Sequence, residues 1–179
     1  MLSIDNALLL VVDFQVRLMP SIHNHEELTN RVETFIKGCR LLGVPILTMQ
    51  QYKKGLGDIL PALKDALGDF EPIEKITFSC YDNEDFVKKL EESGKKNIIV
   101  TGIETHICVQ QTVLHLLENG YAAYLVADCA GSRNENDRIY AERRMRQAGA
   151  VLTTYESVLF EFLKSADHPI RKEISNLVK

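Results

Sequence analysis

Three side chains in this sequence have chemistry that fits together: the carboxylate of Asp13, the ammonium of Lys75 and the thiol of Cys108. Asp13 directly follows the apolar run ALLLVV (7–12), Lys75 lies inside PIEKIT (72–77), and Cys108 stands beyond the glycine of VTGIETHICVQQT (100–112). A thiol is a nucleophile, a nearby cation lowers its pKa and steadies an anionic intermediate, and an acid just past an apolar strand is costly to desolvate without a partner. Each residue also has an ordinary reading. Asp13 is equally a carboxylate that caps a helix or pins a loop. Lys75 alone reads as an edge-strand lysine in water. Cys108 is either a small buried hydrophobe or a nucleophile.

Position favours chemistry for Cys108 over the other thiols. Taking Thr105 as the N-cap puts Cys108 at the third helical position, where free N–H groups and the helix dipole stabilise an anion and lower a thiol pKa. Cys39, mid-helix on an apolar face, and Cys129, after a strand, read as buried and inert; Cys80 falls in a loop. Gly102 ends a strand, and the sharp turn that follows can aim two backbone N–H groups at one point, the geometry of an oxyanion hole. Glu104 is a general base or a charged loop residue. His106, two positions from Cys108 on a helix, points away from it. His115 reads as structural, and His23 and His25 as a solvated loop.

The elements that must position these residues alternate regularly. Strands are expected over 7–12, 44–49, 72–77, 97–102, 121–128 and 150–154. Helices are expected over 28–42, 61–67, 83–92, 106–120, 136–147, 157–164 and 169–178. Short strands that are apolar on both faces, alternating with helical periodicity, call for a parallel sheet covered on both sides, an α/β three-layer fold in one domain over 1–179. The loop around KKGLGD (53–58) is expected to be the most flexible segment. Ligands in such sheets bind beyond the carboxyl ends of the strands, where Asp13 and the Cys108 turn fall.

Composition excludes several roles. The chain has 179 residues, 45% of them hydrophobic and 26% charged, with a net charge of −4. The acidic balance and the lack of a basic, aromatic-interleaved stripe disfavour nucleic acid as partner; RRMRQ (143–147) is the one basic cluster. The four cysteines form no CxxC pair, so neither a zinc site nor a disulfide framework is expected. The run at 7–12 is far short of a membrane span, and with no basic leader before it the expected compartment is the cytosol.

VVDFQ, EKITFSCY and GIETHICVQQT, in that order and at these spacings, resemble the isochorismatase-like cysteine hydrolases over essentially the whole chain. QQYKKGLG and RMRQAGAVLTTYES are similar to the compact, single-domain members. The resemblance implies a six-stranded parallel sheet, a Rossmann-like α/β/α arrangement and a homo-oligomer. It implies Cys108 as nucleophile, Asp13 as its base and Lys75 as the cation that holds both. It also implies an oxyanion hole from the backbone N–H groups of Glu104 and Cys108, a cis peptide at Ile103–Glu104, and Leu18, Tyr52 and Phe78 around the substrate. Nicotinamidases of this family hold a metal through an aspartate and histidines after the second strand; TMQQYKKGLGD has no histidine, so no metal or other cofactor is expected.

The function expected is hydrolysis of a small amide, ureido or related C–N bond through a thioester. Its rivals are a non-catalytic interaction protein on the same fold, a ribonuclease, and an oxidoreductase, which lacks a GxGxxG after the first strand.

Overall fold

The computed structural model describes residues 1–179. The six strands are β1 (Ala7–Val12), β2 (Ile46–Gln51), β3 (Ile73–Lys75), β4 (Asn97–Ile103), β5 (Ala122–Gly131) and β6 (Val151–Thr153). They form one all-parallel sheet in the order β3-β2-β1-β4-β5-β6. The chain winds outward from β1 to β3, crosses back to β4, and winds outward again to β6. The order therefore reverses between β1 and β4, whose carboxyl ends open the crevice where such folds place ligands.

Strand β1 shows why the sheet is parallel and central. All of its residues are buried, and successive side chains face opposite layers. Ala7, Leu9 and Val11 join one core with α1 (His25–Leu41), α3 (Pro61–Leu67), α7 (Tyr155–Leu163) and α8 (Arg171–Leu177). Leu8, Leu10 and Val12 join the other with α4 (Glu84–Ser93), α5 (Gln110–Glu118) and α6 (Glu135–Gln147). Helix boundaries follow capping chemistry. Asn83 accepts from the N–H of Phe86 at the start of α4, and Thr154 from that of Ser157 at the start of α7. Gly94 ends α4 in the left-handed conformation, φ +65°.

The expected elements are present with shifted edges. Strand β2 runs two residues later than expected and β3 is shorter, 73–75 rather than 72–77. KKGL, expected as loop, forms the short helix α2 (Lys53–Leu56). Gly102 has a packing reason to be glycine: a Cβ there would stand 2.7 Å from the carbonyl oxygen of Val12 on β1. Strands β1 and β4 close together at their carboxyl ends on that glycine. No helix is long and apolar enough to cross a membrane.

Candidate active site

Asp13, Lys75 and Cys108 meet at the carboxyl edge of the sheet, brought there by β1, β3 and the turn after β4. Asp13 is the first residue beyond β1 and adopts φ +59°, a conformation aspartate tolerates better than most residues. Lys75 ends β3, an edge strand, yet is 1% exposed. The reading of Lys75 as a solvated edge lysine is overturned: its side chain runs inward and its ammonium is wholly committed. Nζ donates to Asp13 Oδ2 (2.7 Å), Gln51 Oε1 (2.6 Å) and the Thr77 carbonyl (3.3 Å).

Asp13 Oδ1 has no hydrogen-bond partner although it is buried. An unpaired carboxylate oxygen in such a place is costly unless something is there to be accepted. The Cys108 thiol is the group at hand, and the charge of Asp13 bears on it directly. Cys108 Sγ lies 3.9 Å from Gln51 Oε1, so carboxylate, ammonium, amide and thiol form one buried cluster.

Gln51, which the sequence reading passed over, joins the other members. Its Nε2 donates to the Ile76 carbonyl (2.7 Å), which turns Oε1 toward Lys75 and the thiol. Gln15 fixes Gln51 in turn: Gln15 Oε1 accepts the Gln51 N–H (2.7 Å), and its Nε2 donates to the carbonyls of Gln51 (2.8 Å) and Gly57 (2.7 Å). Nothing in the sequence marked either: that these glutamines are buried, where an amide needs partners, is visible only in the fold.

The electrostatics depart from expectation. The thiol was expected to be acidified by a helix start. Instead burial, and then the Asp13 charge, push Cys108 well above the ordinary thiol range, with Lys75 opposing. Burial likewise raises Asp13 above the usual carboxylate range against the pull of Lys75. Burial lowers the Lys75 ammonium, but Asp13 and the nearby sulfurs more than offset it, leaving it raised. The cluster thus pairs Lys75 with Asp13 at 2.7 Å beside a thiol whose ionisation burial opposes.

Local structure explains the failure of the helix argument. Residues Thr105–Val109 form a π turn ahead of α5, not the first turn of an α-helix. The N–H groups of Ile107 and Val109 are both spent on the Glu104 carbonyl (3.1 and 3.3 Å). Glu104, not Thr105, occupies the N-cap position, and the Thr105 hydroxyl has no partner. The Ile103–Glu104 peptide is cis, and the Glu104 N–H makes no hydrogen bond within the chain.

The remaining candidates separate clearly. The Glu104 side chain is tied to Arg133, whose Nε lies 3.1 and 3.0 Å from its two oxygens. His106 turns to Ser132 (3.0 Å) and His115 to Ser79 (3.0 Å); neither bonds Cys108. His23 faces Glu135 at 3.6 Å. Cys39, Cys80 and Cys129 are buried and unpaired; burial holds Cys80 up to about 12 and the other two well above the ordinary range. Tyr52 and Phe78 are exposed, while Leu18 lines a cleft with Arg17, Ser21, Ile22, Glu104 and Arg133.

Comparison with known proteins places this geometry. The isochorismatase domain profile matches residues 7–157. Isochorismatase family protein 1A of Dictyostelium discoideum is 38% identical over 178 residues, covering 97% of this chain and 86% of that protein. Isochorismatase domain-containing protein 1 of Salmo salar is 35% identical over 93% of this chain, but the chain spans only 59% of that relative's length. Among solved structures, the MAR1 ribonuclease of Caenorhabditis elegans superposes with a TM-score of 0.93 at 35% identity, covering 99% of this chain and 91% of that one. YcaC of Pseudomonas aeruginosa, solved with hexane-2,5-diol and covalent acrylamide, gives 0.91 at 29% identity, with 99% and 95% covered. YcaC of Escherichia coli, described as an octameric hydrolase of unknown specificity, gives 0.90 at 29% identity, with 99% and 94% covered.

Proposed function

The chain belongs to the isochorismatase family, and we propose that within it this protein is a cysteine hydrolase that opens the C–N bond of a small amide, ureido or related compound through a thioester. Membership supports a hydrolase. The finer reading rests on one observation: a buried carboxylate whose free oxygen is the natural acceptor for a neighbouring neutral thiol, with a fully committed ammonium behind it.

In the proposed cycle Asp13 takes the thiol proton as Cys108 Sγ bonds to the carbonyl carbon, so no free thiolate accumulates at rest. A base with a raised pKa suits that transfer, because it narrows the gap to a thiol that is itself raised. Negative charge moves to the carbonyl oxygen, where the N–H groups of Glu104 and Cys108 are the proposed donors. The C–N bond then breaks, and the leaving nitrogen carries away the proton held by Asp13. Water adds to the thioester, gives a proton to Asp13, and the acid product departs as Cys108 regains its hydrogen. Lys75 stays protonated and compensates each shift of charge.

Further parts of the reading are a homo-oligomer, on the precedent of the octameric E. coli relative, and the cytosol, whose reducing poise suits four free thiols. A second reading, ribonuclease, is carried only by the names of relatives, those of C. elegans, Leishmania donovani and Leishmania major among them.

The test is acid quench and intact-mass analysis during incubation with a panel of small amides and ureas. An acyl adduct on Cys108 that disappears on chasing, with turnover at least a thousandfold lower in Cys108→Ala, is the expected outcome. Turnover that is indifferent to Cys108→Ala overturns the thioester.

A further inference from the structure

Cys108 is only 7% exposed. The route to it has to be sought from residues beside it. One cleft shares a residue with the reacting turn: a hollow of about 270 Å³ lined by Arg17, Leu18, Ser21, Ile22, Glu104 and Arg133. Its walls come from the segment after β1, the turn after β4 and the segment after β5. It therefore lies over the crevice where the strand order reverses, which is where an open parallel sheet receives its ligand.

The charge of this cleft is specific. Two guanidiniums face one carboxylate, so the cleft carries an excess positive charge. Arg133 uses Nε on Glu104, and its Nη groups have no acceptor in the chain. Arg17 spends Nη1 on the Gly55 carbonyl (2.8 Å) and keeps Nε and Nη2 free. Two partly uncommitted planar forks on one small hollow match an incoming carboxylate, which guanidinium binds in bidentate geometry. Leu18 and Ile22 supply apolar surface for a short carbon chain between the two ends of a ligand.

We propose that this cleft holds a carboxylate of the substrate, with Arg17 and Arg133 as specificity-determining residues. Resting on the hydrolase reading, this narrows the substrate to a small amide or ureido compound whose carboxylate stands a few carbons from the C–N bond. Glu104 then has two roles. Its side chain holds Arg133 at the cleft, and its unpaired N–H belongs to the turn that carries Cys108.

Matched pairs test this. Calorimetry on full-length Cys108→Ala protein, which does not consume the ligand, compares sodium succinamate with succinamide and glutaramate with glutaramide. Each pair differs in charge and little in size. The expected result is tenfold or tighter binding of at least one acid over its diamide, with added salt weakening only the acid. Arg17→Met removes that preference and leaves the diamide unchanged, and Arg133→Met removes it as well. Arg133→Met removes the Nε contacts of the buried Glu104 carboxylate and endangers folding, so Arg17→Met, whose one side-chain bond is to the Gly55 carbonyl of α2, keeps the test decisive. Equal binding of acid and diamide, no binding of either, or a preference that survives Arg17→Met overturns the proposal. Cys108-dependent hydrolysis of neutral amides with no acid preference sinks the carboxylate site and leaves the hydrolase standing. Arginine-dependent acid binding with no acyl adduct on Cys108 does the reverse.

Discussion

Replacing Asp13 by asparagine should make Cys108 more reactive toward an alkylating agent and the enzyme less active. The Asp13 charge raises the thiol and the Lys75 charge lowers it, with Asp13 the larger of the two. Gln51 Oε1 lies 2.6 Å from Lys75 Nζ and 3.9 Å from Cys108 Sγ. The ammonium is therefore within roughly 6.5 Å of the sulfur, and at an effective dielectric of about 20 it stabilises the thiolate by about 2.5 kcal/mol, close to two pKa units. Lys75→Met thus raises the thiol by about two units, and Asp13→Asn lowers it by at least as much. Below the thiol pKa the thiolate fraction falls tenfold per unit, so iodoacetamide at pH 8 should label Cys108 about a hundredfold faster in Asp13→Asn and about a hundredfold slower in Lys75→Met. Labelling is read by peptide mass spectrometry, with Cys39 as the buried control. Hydrolysis must move the other way in Asp13→Asn, because the acceptor for the thiol proton is gone. Slower labelling of Cys108 in Asp13→Asn than in wild type refutes the charge assignment.

Further predictions concern stability. Lys75→Met leaves the Asp13 carboxylate buried without its counter-charge, which should cost about 3–5 kcal/mol in urea unfolding, and Asp13→Asn in the same chain should recover part of it. On the alkaline side, burial holds Cys39, Cys80 and Cys129 above the ordinary thiol value, Cys80 up to about 12. A raised folded pKa gives stability that is complete below the unfolded value and lost as pH rises, so the melting temperature should hold to about pH 8.5 and then fall. Lys75, also raised, adds to the loss above about pH 10.5; a flat melting profile to pH 10 contradicts the thiol prediction. Gly102→Ala forces a Cβ against the Val12 carbonyl and should cost about 1–3 kcal/mol, with turnover lost as well because Asp13 follows Val12 directly.

The layered fold was legible because its signals are local. ALLLVV and NIIVTG read as doubly buried strands from composition alone, and the helical spacing over 83–92 with Gly94 just beyond it marked α4, whose cap proves to be Asn83. Edges were less legible: β2 extends to Gln51 because its last residues are held by Gln15 and Lys75 from distant parts of the chain, and no local propensity encodes that. KKGL was read as loop for a similar reason. Its turn is closed by backbone bonds to Tyr52 and Lys53, while Lys53 N–H is taken by Glu74 across from β3.

The candidate residues were legible as types, but their environment was not, and environment decides the chemistry. A cysteine in what looked like a helix's first turn suggested a preformed thiolate. Once the turn is a π turn with its N–H groups spent on Glu104, and the thiol is buried against a carboxylate, the same residues argue for a proton moved only when a carbonyl arrives. Lys75 shows the same inversion. Edge placement in sequence means solvent, whereas three hydrogen bonds to Asp13, Gln51 and Thr77 make it the fixed cation of the cluster. A thiol kept neutral until attack is shielded from indiscriminate oxidation and alkylation, which follow thiolate character and exposure. On the proposed reading, the Lys75–Asp13 pair both holds the base and limits the nucleophile to a ligand that reaches the turn.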